Sequence, residues 1–116
     1  MSETNELYTS VNYIKNKVDT LEKIELLRMR SDVDMRKSYE AILKSDEKLA
    51  SIYKAIDGEK GQKEIAQQLG CNEMRVSRAI KKLEEFGLIE FCQMKGNSRI
   101  YIHTVVEKAY HFCKSL

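Results

Sequence analysis

GQKEIAQQLGCNEMRVSRAIKKLEEFGLIE, residues 61–90, reads as a short helix, a tight turn, a longer helix and the start of a strand. Ile65, Ala66 and Leu69 recur at helical spacing, and Gly70 stops the first helix where a residue with positive φ is wanted. Asn72 is placed to cap the second helix, since its side-chain oxygen can accept from an unpaired N–H of the first turn. Val76, Ala79, Ile80 and Leu83 line one side of that helix. At 100° per residue, Met74, Arg78, Lys81 and Glu85 fall on the opposite side, with Arg75 and Lys82 on one flank and Ser77 on the other. An apolar back with a cationic front suits a helix that sits in a DNA groove while packed on its own domain.

Working outward from this stretch, the preceding helix opens with Gln62 and Lys63. Its unpaired N–H groups and the Lys63 ammonium can hold a phosphate, although a lone surface lysine is more often merely solvated. After Gly87 the period changes. Leu88, Ile89 and Phe91, then Ile100, Tyr101 and Ile102, are β-type runs separated by the turn sequence Lys95-Gly96-Asn97-Ser98. Ile89 with Phe91, and Ile100 with Ile102, alternate at period two and are expected to face the core. Lys95, Asn97 and Arg99 then stand at the hairpin tip, where cations and an amide reach a DNA backbone or minor groove.

Three helices followed by a hairpin is the layout of the winged helix-turn-helix. The text KEIAQQLGCNEMRVSRAIKKLEEFGLIE, with the following FCQMKGNSRIYI, resembles that family, and within it the MarR/ArsR-type prokaryotic regulators. The resemblance covers residues 45–104. It implies that residues 64–70 are a scaffold helix and that Val76 to Ile89 carry the recognition helix and its exit. By that similarity Asn72, Met74, Arg75, Ser77 and Arg78 face the groove, and Lys81 and Lys82 lie nearer phosphate. Lys95, Asn97, Ser98 and Arg99 match the wing. The implied partner is double-stranded DNA, and the implied role is a transcriptional regulator, with repression as the simplest output. The alternative is a winged helix that binds only protein. MarR-type proteins usually dimerise through long helices at both ends, whereas here the bulk lies at the N-terminus.

Upstream, Leu7, Val11, Ile14, Val18 and Leu21 follow the spacing of a helix that pairs with another helix. A second copy of the chain is one mate for that seam, giving a homodimer; folding back over the same chain is the other. Between Arg28 and Asp34 the pattern breaks, and Ser31 or Asp32 can cap a second helix through Met35, Tyr39, Ile42 and Leu43. One continuous helix is equally compatible, since no Gly or Pro punctuates this region. Ser45-Asp46-Glu47 reads as a fresh helix start, followed by a buried stripe of Leu49, Ile52, Tyr53 and Ile56 and a stop at Gly58. After the wing, Val106, Ala109, Tyr110 and Cys113 mark one side of a short last helix. The expected fold is mainly α with a small hairpin: a helical, coiled-coil-like segment (1–44), a winged helix-turn-helix (45–104) and a C-terminal helix (105–116).

At 116 residues and a net charge of +2, the chain is one modest domain with an appendage, and its charge alone does not announce nucleic acid. The polar N-terminus shows no secretory signal, and no apolar run can cross a bilayer, so a cytoplasmic protein without membrane association is expected. Cys71, Cys92 and Cys113 are odd in number and widely spaced, which argues against a disulfide framework. Cys71 precedes a helix N-terminus, a setting that lowers a thiol pKa and permits redox sensing, though ordinary packing explains it as well. Cys92 and Cys113 are read as packing residues. His111 and Cys113 lie two positions apart on a helix and point in different directions, so with His103 they are not read as a metal site. No phosphate loop, nucleophile elbow or sheltered acid pair is present, so neither enzyme chemistry nor a cofactor is expected, and any effector is unspecified.

Overall fold

A computed structural model describes the backbone of residues 2–116 and the side chains of residues 15–17 and 19–116. The chain runs α1 (Ser2–Ser31), α2 (Val33–Lys44), α3 (Leu49–Ala55), α4 (Gln62–Leu69), α5 (Glu73–Glu85), β1 (Ile89–Lys95), β2 (Ser98–His103), α6 (Val105–Tyr110) and α7 (Phe112–Ser115). Helices α3, α4 and α5 followed by the β1–β2 hairpin form a winged helix-turn-helix.

Asp32 separates the first two helices. Its side chain accepts from the Met35 N–H at 3.0 Å while its backbone is extended, so it caps α2 as α1 ends. Of the proposed pairing seam, Leu7, Val11, Ile14 and Val18 lie outside the described side chains. Leu21 is 64 % exposed, and Ile24 and Leu27 continue that open stripe at 57 % and 66 %. Lower down, α1 does engage the body. Met29 is buried, and its carbonyl accepts from the Tyr110 hydroxyl at 2.8 Å. The Arg30 guanidinium donates to the carbonyls of Ala109 and Lys108 at 3.2 and 3.0 Å, satisfying the otherwise unpaired end of α6.

The core gathers Leu43, Ile52, Tyr53, Ile65, Val76, Leu83, Leu88, Ile89 and Phe112, all essentially sealed from solvent. Each such aliphatic side chain contributes about 1.5–3 kcal/mol of burial. The apolar side of α5 belongs to this core: Val76, Ile80 and Leu83 are buried, which fixes the direction its other side faces.

Several local expectations are corrected. Ser45 does not open α3. It closes α2, its hydroxyl donating to the Ile42 carbonyl at 2.6 Å, and α3 begins after Lys48. α3 ends at Ala55 rather than at Gly58. Gly58 lies in the following connection, where its N–H donates to the Tyr101 carbonyl at 3.1 Å and ties that connection to β2. Phe91 is exposed, Ile102 is only half-buried, and Tyr101 is buried in their stead. The register pairs Ile89 with His103 and Phe91 with Tyr101, so Tyr101 rather than Ile102 shares the side of buried Ile89; a β-bulge follows, where Gln93 pairs with Ile100 and Cys92 is the extra residue. Cys92 is accordingly exposed, not packed. The last segment is two helices, because His111 adopts φ 53° and redirects the chain so that Phe112 enters the core.

A half-buried polar knot holds α3, β2 and the last two helices together. The Tyr53 hydroxyl donates to Glu107 Oε2 at 2.6 Å, and Glu107 Oε1 accepts from the Cys113 N–H at 3.0 Å. His103 Nε2 donates to the Tyr53 carbonyl at 2.7 Å, and its ring lies 4.4 Å from the Tyr53 ring. Burial pushes the Cys113 thiol up to about 12, helped by the Glu107 carboxylate beside it, so this cysteine is held as an inert thiol. Among the described residues, no group of three His, Cys, Asp or Glu is placed to hold a metal, and no helix is long and apolar enough to cross a membrane.

Candidate nucleic-acid interface

The turn before α5 is built as the text indicates. Gly70 takes φ 65°, a left-handed conformation that costs a Cβ-bearing residue about 1 kcal/mol or more, and the Cys71 N–H reaches back to the Ala66 carbonyl at 3.1 Å. Asn72 then caps α5, its Oδ1 accepting from the Arg75 N–H at 2.8 Å. At the far end the Leu88 and Gly87 N–H groups return to the carbonyls of Leu83 and Glu84 at 2.9 and 3.1 Å, which stops the helix and starts the wing.

With its apolar side sealed, α5 presents Met74, Arg75, Ser77, Arg78 and Lys81 to solvent, and Lys82 is half-buried. Arg78 and Lys81 make no hydrogen bond or ion pair among the described residues. Arg75 and Lys82 are tied to the α2–α3 turn instead. Arg75 Nη2 lies 2.9 Å from Asp46 Oδ1, and Lys82 Nζ donates to Ser45 Oγ at 2.9 Å. The Lys48 backbone N–H, and then the Arg75 guanidinium, hold the Asp46 carboxyl below its ordinary range, so it stays ionised.

Two clefts flank this helix, each of about 380 Å³. The first is framed by Asp46, Asn72, Met74, Arg75, Arg78 and Lys82 over a floor that includes Leu49 and Ile52. The second is lined by Gln62, Lys63, Glu73, Asn97, Ser98 and Arg99. It brings together the start of α4 and the wing tip, which lie more than thirty residues apart in the text. Gly61 makes this closeness possible: a Cβ built there would stand 2.9 Å from the Ser98 Cβ. At the tip, the Arg99 guanidinium lies over the Phe91 ring at 5.0 Å, and Lys95 Nζ approaches the Glu59 carbonyl at 3.5 Å. Ser77 and Lys81 line neither cleft and point to open solvent from α5 itself.

Sequence reasoning missed the acids and the aromatic of this surface. By sequence Asp46 fits a helix-start acid and Phe91 a core strand position, and Glu73 carries no signal of its own. The Asp46–Arg75 pair spans 29 residues of sequence, and no local spacing announces it.

A capped α5 with a solvent-facing cationic side, a preceding helix whose start lies beside the hairpin tip, and the hairpin itself make up a winged helix-turn-helix. Residues 49–101 match the model of the MarR family, from the start of α3 into β2. Over those residues the unit is similar to the winged helix of the MarR family. No curated protein and no solved structure matches the chain.

Proposed function

We propose that this chain is a cytoplasmic, sequence-specific regulator that binds double-stranded DNA as a homodimer and represses transcription by occupying its operator. The observation that carries the reading is the open cationic side of α5, where Arg78 and Lys81 face solvent without an intramolecular partner among the described residues. In this reading α5 enters a major groove. Asn72, Met74, Arg75, Ser77 and Arg78 lie nearest base edges, and Lys81 and Lys82 lie nearest phosphates. Gln62 and Lys63 contact backbone from the α4 N-terminus, and Lys95, Asn97, Ser98 and Arg99 do so from the wing.

The dimer reading is supported by α1. Leu21, Ile24 and Leu27 form an apolar stripe with no cover from the described chain, on the helix where Leu7, Val11, Ile14 and Val18 set the same spacing. Pairing of two α1 helices sets the separation of two α5 helices, and the half-sites then lie about one helical turn, on the order of 10 bp, apart or a multiple of it.

The test is a salt titration of duplex binding. Affinity should fall steeply with salt, with a log–log slope of about −0.9 per phosphate neutralised. Arg78→Ala combined with Lys81→Ala should flatten that slope by about 0.9 for each phosphate contact removed. Binding that ignores salt and survives the double substitution would instead favour the protein-only winged helix.

A further inference from the structure

We propose that Asp46, in the turn between α2 and α3, is a positioning residue for DNA recognition: it sets the Arg75 guanidinium for base reading and thereby raises sequence discrimination. The inference rests on the DNA-binding reading above.

The geometry is that of a prepared arm. Asp46 Oδ1 accepts simultaneously from the Lys48 backbone N–H and from Arg75 Nη2, both at 2.9 Å, so the anchor is itself fixed by the turn. Arg75 spends only Nη2 on this contact. Nη2 carries two hydrogens and Asp46 takes one of them, so one forked edge of the guanidinium remains open, through the second Nη2 hydrogen and its neighbouring nitrogen, for an acceptor pair such as guanine O6 and N7. Next door, Ser45 donates to the Ile42 carbonyl at 2.6 Å and accepts from Lys82 at 2.9 Å, so the same turn steadies a second cation two helical turns further along α5. Arg78, by contrast, has no such steadying contact among the described residues.

The Asp46 and Arg75 side chains are 48 % and 45 % exposed, so their pair adds little to folding and remains within reach of DNA. A long side chain loses rotamer freedom when it docks; an arm already held loses less, and only in the pose it was held in. The carboxylate also carries a cost. Beside a phosphate backbone it repels, and it does so on every sequence alike. Asp46 therefore has two effects of opposite sign: it weakens binding to arbitrary DNA and strengthens the preference for the right site. A merely structural residue would produce neither split.

The experiment uses the full chain and two duplexes of equal length, one selected from a random pool by the wild-type protein and one a scramble of it. Asp46→Ala should bind the scramble about three-fold more tightly, because one like charge is gone. Its selected-to-scrambled affinity ratio should fall about five-fold or more, the lower range of one base-reading contact. Asp46→Asn, which keeps the shape and an acceptor, should lose less of the ratio while showing the same gain on the scramble. Arg75→Ala should cost far less discrimination in the Asp46→Ala background than in the wild type. Thermal melts of the variants close to the wild type exclude loss of fold as the cause. If the wild type discriminates and Asp46→Ala leaves the ratio within two-fold, or if Arg75→Ala costs the same in both backgrounds, the positioning role is overturned while the regulator reading stands. A wild type that binds neither duplex overturns both.

Discussion

Replacing Tyr53 with Phe removes one oxygen from the interior and leaves the ring, including its 4.4 Å contact with His103, in place. The lost bond is the 2.6 Å donation to Glu107 Oε2, a hydrogen bond to a charged acceptor. Such bonds contribute about 1.5–3 kcal/mol. Glu107 is only half-buried and keeps the Cys113 N–H on its other oxygen, so the lower part of that range applies, about 2 kcal/mol. With an unfolding entropy of about 2.1 cal/mol/K per residue over 116 residues, the slope is about 0.24 kcal/mol/K, and Tm should drop by about 8 °C.

The pH dependence sharpens this expectation. Burial pushes the Glu107 carboxyl up, but the Tyr53 hydroxyl and the Cys113 amide and thiol outweigh it and leave the group below its ordinary value. A carboxyl lowered by folding stabilises the fold fully above its unfolded pKa, and the contribution fades as pH falls through the folded one. Without the Tyr53 hydroxyl the folded value rises toward the unfolded one. The gap between Tyr53→Phe and the wild type should thus be widest near neutral pH and should close on acidification below the usual carboxylate range. Urea unfolding at both pH values, compared by midpoint at constant m, reads it. A gap below about 0.5 kcal/mol at neutral pH, or one that persists unchanged in acid, would refute the reasoning.

Gly61→Ala places a methyl 2.9 Å from the Ser98 Cβ, and overpacking of this kind costs about 1–3 kcal/mol. Adding Ser98→Gly should restore most of that loss in urea unfolding; no recovery would mean the strain lies elsewhere. On α1, Leu21→Glu with Leu27→Glu should turn a sedimenting dimer into a monomer and weaken duplex binding. A wild-type protein that sediments as a monomer at micromolar concentration would count against the α1 pairing.

The centre of the fold was legible because its signals are local. Gly70 and Asn72 each do at one position what their backbone or side chain permits, and the 100° rule alone divides α5 into a buried and an open side. Ser45 misled because a hydroxyl serves either end of a helix, and here the nearer unsatisfied group was the Ile42 carbonyl behind it. Phe91 misleads because period-two spacing tells which side of a strand a residue takes but not how far along the strand the core extends: Ile89 is buried and Phe91, two residues on, is exposed. Phe112 was overlooked because a left-handed His111 is invisible to a helical-period count. In the candidate interface, the exposed cations of α5 are legible from the helical period, whereas their contacts with Asp46 and Ser45 are not. Asp46 meets Arg75, and Phe91 meets Arg99, through pairings set by the tertiary fold.

The seat of α1 on α6 has a mechanical corollary. Arg30 grips two carbonyls at the end of α6, Lys108 Nζ reaches Glu22 Oε1 at 2.6 Å, and the Tyr110 hydroxyl holds the Met29 carbonyl. The foot of the long helix is thus moored to an element that follows the wing by a single residue, Thr104. A torque on the shaft of α1 must either tear that mooring or turn α6 with it, and α6 hands the motion directly to β2. The wing would then swing with the mast, giving the far end of the chain leverage over the hairpin.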